Sequence, residues 1–337
     1  MILEHYSLKA LNTFHIDAKS RYFTIADDLT QLRAALEFAK SKNLPIFILG
    51  GGSNVLFTKD FKGLAIKNNI KGFDIVKETA EHVWIRIGAG EEWHEAVSRS
   101  IDLGYNGVEN LSLIPGSVGA APIQNIGAYG VELCDVFFSL EALEIDSGRL
   151  RTFNRGECEF GYRQSVFKNK YKGKFVIVSV TLQLSKVPAF NISYAALNAA
   201  LQDTEVNSLT AKKISEAVIR IRRSKLPDPQ EIGNAGSFFK NPVVDAKTVQ
   251  EISAKYPDIP GHFDKEGNAK LSAAWLIERC GWKGKRMNDA GVHEKHSLVL
   301  VNYGSATGSE MKSLAEAIQD SVCRKFGISL EPEVNFI

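Results

Sequence analysis

An apolar strand, Pro45-Ile46-Phe47-Ile48-Leu49, runs straight into Gly50-Gly51-Gly52-Ser53-Asn54. A glycine loop after a strand is how many phosphate-binding folds begin. A Rossmann turn or a Walker loop, however, delivers its phosphate to a helix N-terminus. Here Val55-Leu56-Phe57-Thr58 follows, with the composition of a strand, so neither motif fits. What remains is a nest of consecutive backbone N–H groups, unobstructed by side chains and suited to an anion. Taken alone, a glycine triplet is more often a tight turn than a ligand site.

A second segment adds to it. Leu113-Ile114-Pro115-Gly116-Ser117-Val118-Gly119-Ala120-Ala121-Pro122-Ile123-Gln124-Asn125-Ile126-Gly127-Ala128-Tyr129-Gly130 carries four glycines, four alanines or serines and no charge. Such backbone can approach a flat ligand closely while offering amide donors. A buried crossing between elements would also use small residues. Two such stretches in one domain favour a large phosphorylated cofactor over two unrelated turns.

Around these loops the pattern alternates short strands with helices. Apolar residues recur at helical spacing over 29–39 behind Asp27 and Asp28, over 91–103, and over 211–224, where Pro227 and Pro229 forbid continuation. Further helices are expected at 245–255, 272–279 and 309–326, the last ended by Gly327. Strands are expected at 83–87, 139–145, 175–184 and 297–302, with an extended end at 331–337. The chain reads as α+β, with a boundary near Lys186–Pro188.

Composition closes off other classes. Lys+Arg 41 against Asp+Glu 39 leaves a formal charge of +2, which points to neither nucleic acid nor an anionic membrane. The first residues hold no apolar signal core, and the apolar runs are too short to span a bilayer. Cys134, Cys158, Cys280 and Cys323 are scattered, as in a reducing cytoplasm. His293 and His296 find no carboxylate or cysteine at ligand spacing, so no metal is expected.

Three polar features stand out, each with an ordinary reading beside it. Arg163, in Phe160-Gly161-Tyr162-Arg163-Gln164-Ser165, suits a carboxylate, although by spacing alone it is a surface arginine stacked on Tyr162 or Phe160. Ser237, in Gly236-Ser237-Phe238-Phe239-Lys240-Asn241-Pro242, can donate a proton if its conjugate base is supported, or simply satisfy a turn. Glu331 and Glu333 flank Pro332, either as an acid/base pair or as solvated terminal carboxylates.

Taken in order, Asn12-Thr13-Phe14, the Leu49–Asn54 loop, Ile114-Pro115-Gly116-Ser117-Val118-Gly119, Gln124–Gly130, Tyr162–Phe167, Ser224-Lys225-Leu226-Pro227, Gly236–Pro242 and Glu331-Pro332-Glu333-Val334 resemble the UDP-N-acetylenolpyruvoylglucosamine reductase family, from residue 12 to the last residue. The resemblance implies an FAD-binding fold of the vanillyl-alcohol oxidase (PCMH) type in two subdomains, residues 1–187 split near 68. It also implies a C-terminal α/β substrate domain with a connecting helix, residues 188–337. It implies that NADPH reduces non-covalent FAD and leaves, and that the enolpyruvyl ether of UDP-N-acetylglucosamine takes its place. Hydride then goes to the terminal carbon and a proton to its neighbour. Neither glycine-rich segment contains the histidine or cysteine that a tethered flavin would need.

The resemblance also implies a role for each matched residue. Arg163, Ser237 and Glu333 are catalytic, Ser237 as proton donor. Gly50, Gly51, Gly52, Ser53, Asn54, Ile114, Pro115, Gly116, Ser117, Gly119, Ile123, Ile126, Gly127 and Arg222 hold the cofactor. Tyr129, Tyr194, Lys225 and Asn241 hold the substrate, Tyr194 on the mobile loop of the family's longer form. His296 stands where the family carries a glutamine. Small molecules are the implied partners, with no nucleic acid or membrane, and the expected form is a cytoplasmic monomer. The rival readings are an FAD oxidase on the same fold and a nucleotide-binding module without redox chemistry.

Overall fold

A computed structural model describes residues 1–205 and 208–337. Packing divides the chain into two compact units, and the division is not linear in sequence. One comprises Met1–Tyr6, Ser20–Gly52 and Lys62–Ser224; the other comprises Ser7–Lys19, Ser53–Phe61 and Lys225–Ile337. Along the chain the last change from one unit to the other falls at Ser224/Lys225.

The first unit is built on two sheets. In the smaller, the strands run in the order Leu3–Ser7, Lys19–Ala26, Phe61–Asn68, Ile46–Leu49, the last two parallel. The helix Leu29–Ser41 crosses over between Lys19–Ala26 and Ile46–Leu49. Asp28 starts it by accepting from the Gln31 amide at 2.8 Å. Its buried face, Leu32, Ala35, Leu36 and Ala39, packs with Leu64 and Ile66 of the sheet. Leu143, Val176 and Val178 of the larger sheet join the same core.

The larger sheet is antiparallel throughout, in the order Leu150–Asn154, Phe137–Glu144, Phe175–Ser185, His82–Gly88, Phe73–Glu78. The helix Trp93–Asp102 covers its core with Trp93, Ala96 and Val97. The helix Ala211–Lys225 packs Ile214, Ala217 and Val218 against Leu197 and Leu201 of the helix Ala195–Leu201.

The second unit has an antiparallel sheet ordered Gly233–Ser237, Val299–Asn302, Ala290–Val292, Arg286–Met287, and a smaller one ordered Val243–Val244, Ala269–Leu271, Gly261–Phe263. The helix Gly308–Phe326 starts on a capping box, Thr307 with Glu310, and ends on Gly327 at φ 68°. Short strands from the two ends of the sequence meet here: Val55–Leu56 runs parallel to Asn335–Phe336. Among the described residues no helix is long and apolar enough to cross a membrane.

Candidate active site

The first unit brings the two glycine-rich segments together. Leu49 lies opposite Lys67 in the parallel pair, and the chain then enters Gly50-Gly51-Gly52. A methyl group on Gly51 would stand 2.6 Å from Gly116 Cα, and one on Gly50 would collide with Ser117 Oγ. Gly52 at φ 67° and Gly116 at φ 118° take conformations that side chains resist. Residues 116–119 are in turn laced to the connection after His82–Gly88. The amides of Trp93 and Gly119 donate to Gly116 O and Ala89 O, both at 2.9 Å. On Gly119 a methyl group would stand 2.5 Å from Ala89 Cβ. Three strips of backbone, around residues 50–52, 89–90 and 116–119, are therefore packed at distances that only small residues allow. That is a fit for a flat cofactor gripped by main chain.

The rest of the second segment supports Arg163. Ile126 is buried, Ile114 half-buried, Pro115 exposed, and Ile123, also exposed, accepts from Ser165 Oγ at 2.7 Å. Gly127–Ala128 and Val131–Glu132 form a hairpin whose turn residues, Tyr129 and Gly130, both have positive φ. Arg163, itself at φ 55°, donates to Gly127 O at 2.7 Å and Asn125 O at 3.4 Å, with Glu132 Oε1 at 3.9 Å. It does lie over the Tyr162 ring, 5.2 Å from the centroid. Yet it is turned inward, only 17% exposed, and is no solvated surface group.

Tyr129, Tyr194 and Arg222 form one cluster in the same unit. The two rings meet edge to face at 5.2 Å. Burial raises the Tyr129 pKa, while the nearby Arg222 charge works against that rise. Burial lowers the Arg222 pKa, and its Nε is buried without a hydrogen-bond partner among the described residues. Asn110 is a residue that sequence reasoning missed. Its Nδ2 donates to Tyr129 O at 2.9 Å and to Asn191 O at 2.8 Å, tying the hairpin to the segment before Tyr194. An asparagine in a plain turn of sequence gives no signal of such a bridge.

The second unit assembles the remaining residues. Ser237 pairs with Val299, and the Phe238 amide donates to Leu298 O at 2.7 Å. The chain end runs back along this segment: Lys240 N donates to Glu331 O at 2.9 Å and Glu333 N to Phe238 O at 2.8 Å. Ser237 and Glu333, 96 positions apart in sequence, are thus held on neighbouring backbone. Asn54 donates to Glu333 O at 3.2 Å, which ties the loop after the glycine triplet to the same strip; Ser53 precedes it in this unit. Glu331 pairs with the buried Lys240 at 2.5 Å. Asn241 accepts from the Ala273 amide at 3.1 Å, at the start of the helix Ala273–Arg279. Burial lowers the His296 pKa, and the charges of Lys225, His293 and Lys283 push the same way.

Residues 20–154 match the model of an FAD binding domain. The solved structure of 6-hydroxy-D-nicotine oxidase from Arthrobacter nicotinovorans shares the fold, with a TM-score of 0.52 at 14% identity over 98% of this chain and 86% of that one. The class is therefore an FAD-dependent oxidoreductase with the vanillyl-alcohol oxidase type of flavin-binding fold.

Residues 228–337 match the model of the UDP-N-acetylenolpyruvoylglucosamine reductase C-terminal domain. The enzyme of that name from Amoebophilus asiaticus is 51% identical over 99% of this chain and 98% of its own length. That from Pseudomonas putida is 48% identical over 98% of each. The crystal structure of the Thermus caldophilus reductase covers 100% of this chain and 98% of its own, with a TM-score of 0.69 at 22% identity. This chain belongs to the UDP-N-acetylenolpyruvoylglucosamine reductase family.

Proposed function

We propose that the chain reduces the enolpyruvyl ether of UDP-N-acetylglucosamine to UDP-N-acetylmuramate, a precursor of peptidoglycan, with NADPH as reductant. Family membership carries the reading. When bound, FAD supplies hydride transfer between the nicotinamide and the substrate. On this reading residues 1–187 serve the cofactor and residues 188–337 the substrate. A nucleotide-sugar substrate and NADPH, both cytoplasmic metabolites, support a cytoplasmic reaction on small molecules, and the proposed form is a monomer.

The residues then have chemical work to do. Hydride addition at the terminal carbon of an enolpyruvate builds enolate charge, conjugated with the carboxylate. Arg163 binds that carboxylate through a guanidinium already oriented by Gly127 O and Asn125 O. Ser237 donates the proton to the neighbouring carbon, and its oxygen then recovers one from solvent. Glu333 supports the same end of the substrate. Its backbone tie to Phe238, the residue after Ser237, supports their acting together. Around the cofactor, Gly50, Gly51, Gly52, Gly116, Ser117 and Gly119 provide main chain with no side chain in the way. Tyr129, Tyr194, Lys225 and Asn241 hold the nucleotide sugar.

Removing a donor of this kind costs on the order of a few kcal/mol of barrier. Ser237→Ala is therefore expected to lose about two or more decades of turnover while reduction of the flavin by NADPH survives. Stopped-flow measurement of the two half-reactions checks this, and a normal oxidative half-reaction would remove Ser237 from the role. The broader reading is tested by following NADPH oxidation with and without the enolpyruvyl substrate. A rate independent of that substrate would mark an oxidase instead.

A further inference from the structure

Lys67 is the last residue but one of the strand Phe61–Asn68 and lies opposite Leu49, the residue that leads into the glycine triplet. Leu64 and Ile66 face the helix Leu29–Ser41, so the alternation of a strand turns Lys67 to the other side of the sheet. Its Nζ donates to Gly50 O at 2.5 Å. Among the described residues that carbonyl is its one hydrogen-bond partner, and no carboxylate forms an ion pair with it. Lys71, whose charge acts on Lys67, has its own arrangement, with Gly90 O at 2.6 Å and Glu91 Oε2 at 3.5 Å. Burial lowers the Lys67 pKa and the Lys71 charge lowers it further.

This placement is costly for a lysine. A partly desolvated ammonium answered by one neutral carbonyl keeps a full charge and two N–H donors to spend. It stands at the carboxyl end of a parallel strand pair, where ligands of α/β folds bind, and on the loop whose glycines pack against Gly116 and Ser117. We propose that Lys67 is a cofactor-binding residue whose ammonium pairs with the diphosphate of FAD, held there by the Gly50 carbonyl. The inference rests on the assignment of FAD to this unit. It adds a fixed positive charge to a loop otherwise described by backbone amides alone. Lysine serves phosphate as a point charge, in the way that backbone nests cannot.

Three forms of the protein separate charge from tethering. Lys67→Gln keeps a donor for Gly50 O and loses the charge; Lys67→Arg keeps the charge. Each apo-protein is titrated with FAD and followed by quenching of flavin fluorescence. The expected result is an FAD affinity about 10- to 100-fold weaker for Lys67→Gln, the range for a hydrogen bond to a charged group, with most of the loss recovered by Lys67→Arg. A Lys67→Gln protein that binds FAD as tightly as the parent overturns the proposal, as does a loss that arginine does not recover. If the variants fail to fold, acetic anhydride labelling of the parent apo-protein decides. Saturating FAD should shield Lys67 from acetylation, and equal labelling with and without FAD overturns the proposal. A parent protein that takes up no FAD would instead refute the family-based reading, and the two failures are told apart by that control.

Discussion

At the scale of single residues, several positions prove to be structural anchors. Asn12 Nδ2 donates to Leu8 O at 2.8 Å and Ile16 O at 3.0 Å while its Oδ1 accepts from Ile16 N at 2.9 Å, and all of this is buried. Asn302 reaches Phe14 O at 2.8 Å. The Asn12-Thr13-Phe14 motif therefore reads as loop architecture in the second unit. Asp289 offers a test at this scale. It accepts from Ser305 Oγ and N at 2.6 and 2.9 Å and pairs with Arg286 at 2.6 Å, which hold its carboxyl down to about 2. A carboxyl depressed in the folded state stabilises above its unfolded value, about 3.9, and loses that contribution as pH falls through its folded value. Asp289→Asn should thus lower Tm at pH 7, with the difference from the parent shrinking between about pH 4 and 2. A constant difference across that range would sink the assignment.

At the scale of elements, the long helices were legible because apolar periodicity and caps agree. The segments read at 29–39, 91–103, 211–224 and 309–326 are helices at Leu29–Ser41, Trp93–Asp102, Ala211–Lys225 and Gly308–Phe326. The strand read after Asn54 is there too, at Val55–Leu56. Other strands were not visible. Gly233-Asn234-Ala235-Gly236-Ser237 has no strand propensity of its own and is a strand because Val299–Asn302 supplies its partner. Val118–Gln124 is a 3-10 helix despite Pro122, in a segment whose small residues signalled only close approach. The cap of Gly308–Phe326 gives a clean prediction. Thr307→Ala removes the hydroxyl half of the box, leaving the backbone amide of residue 307 on Glu310, and should cost about 1 kcal/mol in denaturant unfolding. Gly308→Ala should cost more, because a Cβ there runs into the Phe57 carbonyl. Equal costs for the two would contradict this packing.

At the scale of the whole molecule, the second unit draws on three separate stretches. Residues 7–19 contribute Thr13 O, which accepts from Asn234 N at 2.9 Å, and the stretch 53–61 contributes Val55–Leu56. Ile337 O accepts from Thr58 N at 2.9 Å and Ile337 N donates to Leu56 O at 3.0 Å. A fragment of residues 225–337 alone lacks these partners, leaving backbone groups of Asn335–Ile337 and Asn234 unmatched. It is expected to show poor amide dispersion by NMR, whereas the full chain is folded. A well-dispersed spectrum of the fragment would show that the interleaved stretches are dispensable.

The sequence alone determined that the glycine loop at 50–54 is no helix-borne phosphate site, because the triplet is followed by strand. It also determined the long helices, whose periodicity is local, and the family, through motifs whose order needs no coordinates. Tertiary structure decided which residues meet. The packing of Gly51 on Gly116, the lacing of Glu333 to Phe238 and the hydrogen bond from Lys67 to Gly50 O join positions whose spacing along the chain carries no such signal. The reason is physical. Periodicity reports which face of an element is buried, but long-range pairing depends on hydrogen bonds and close contacts that exist only once the chain has closed on itself.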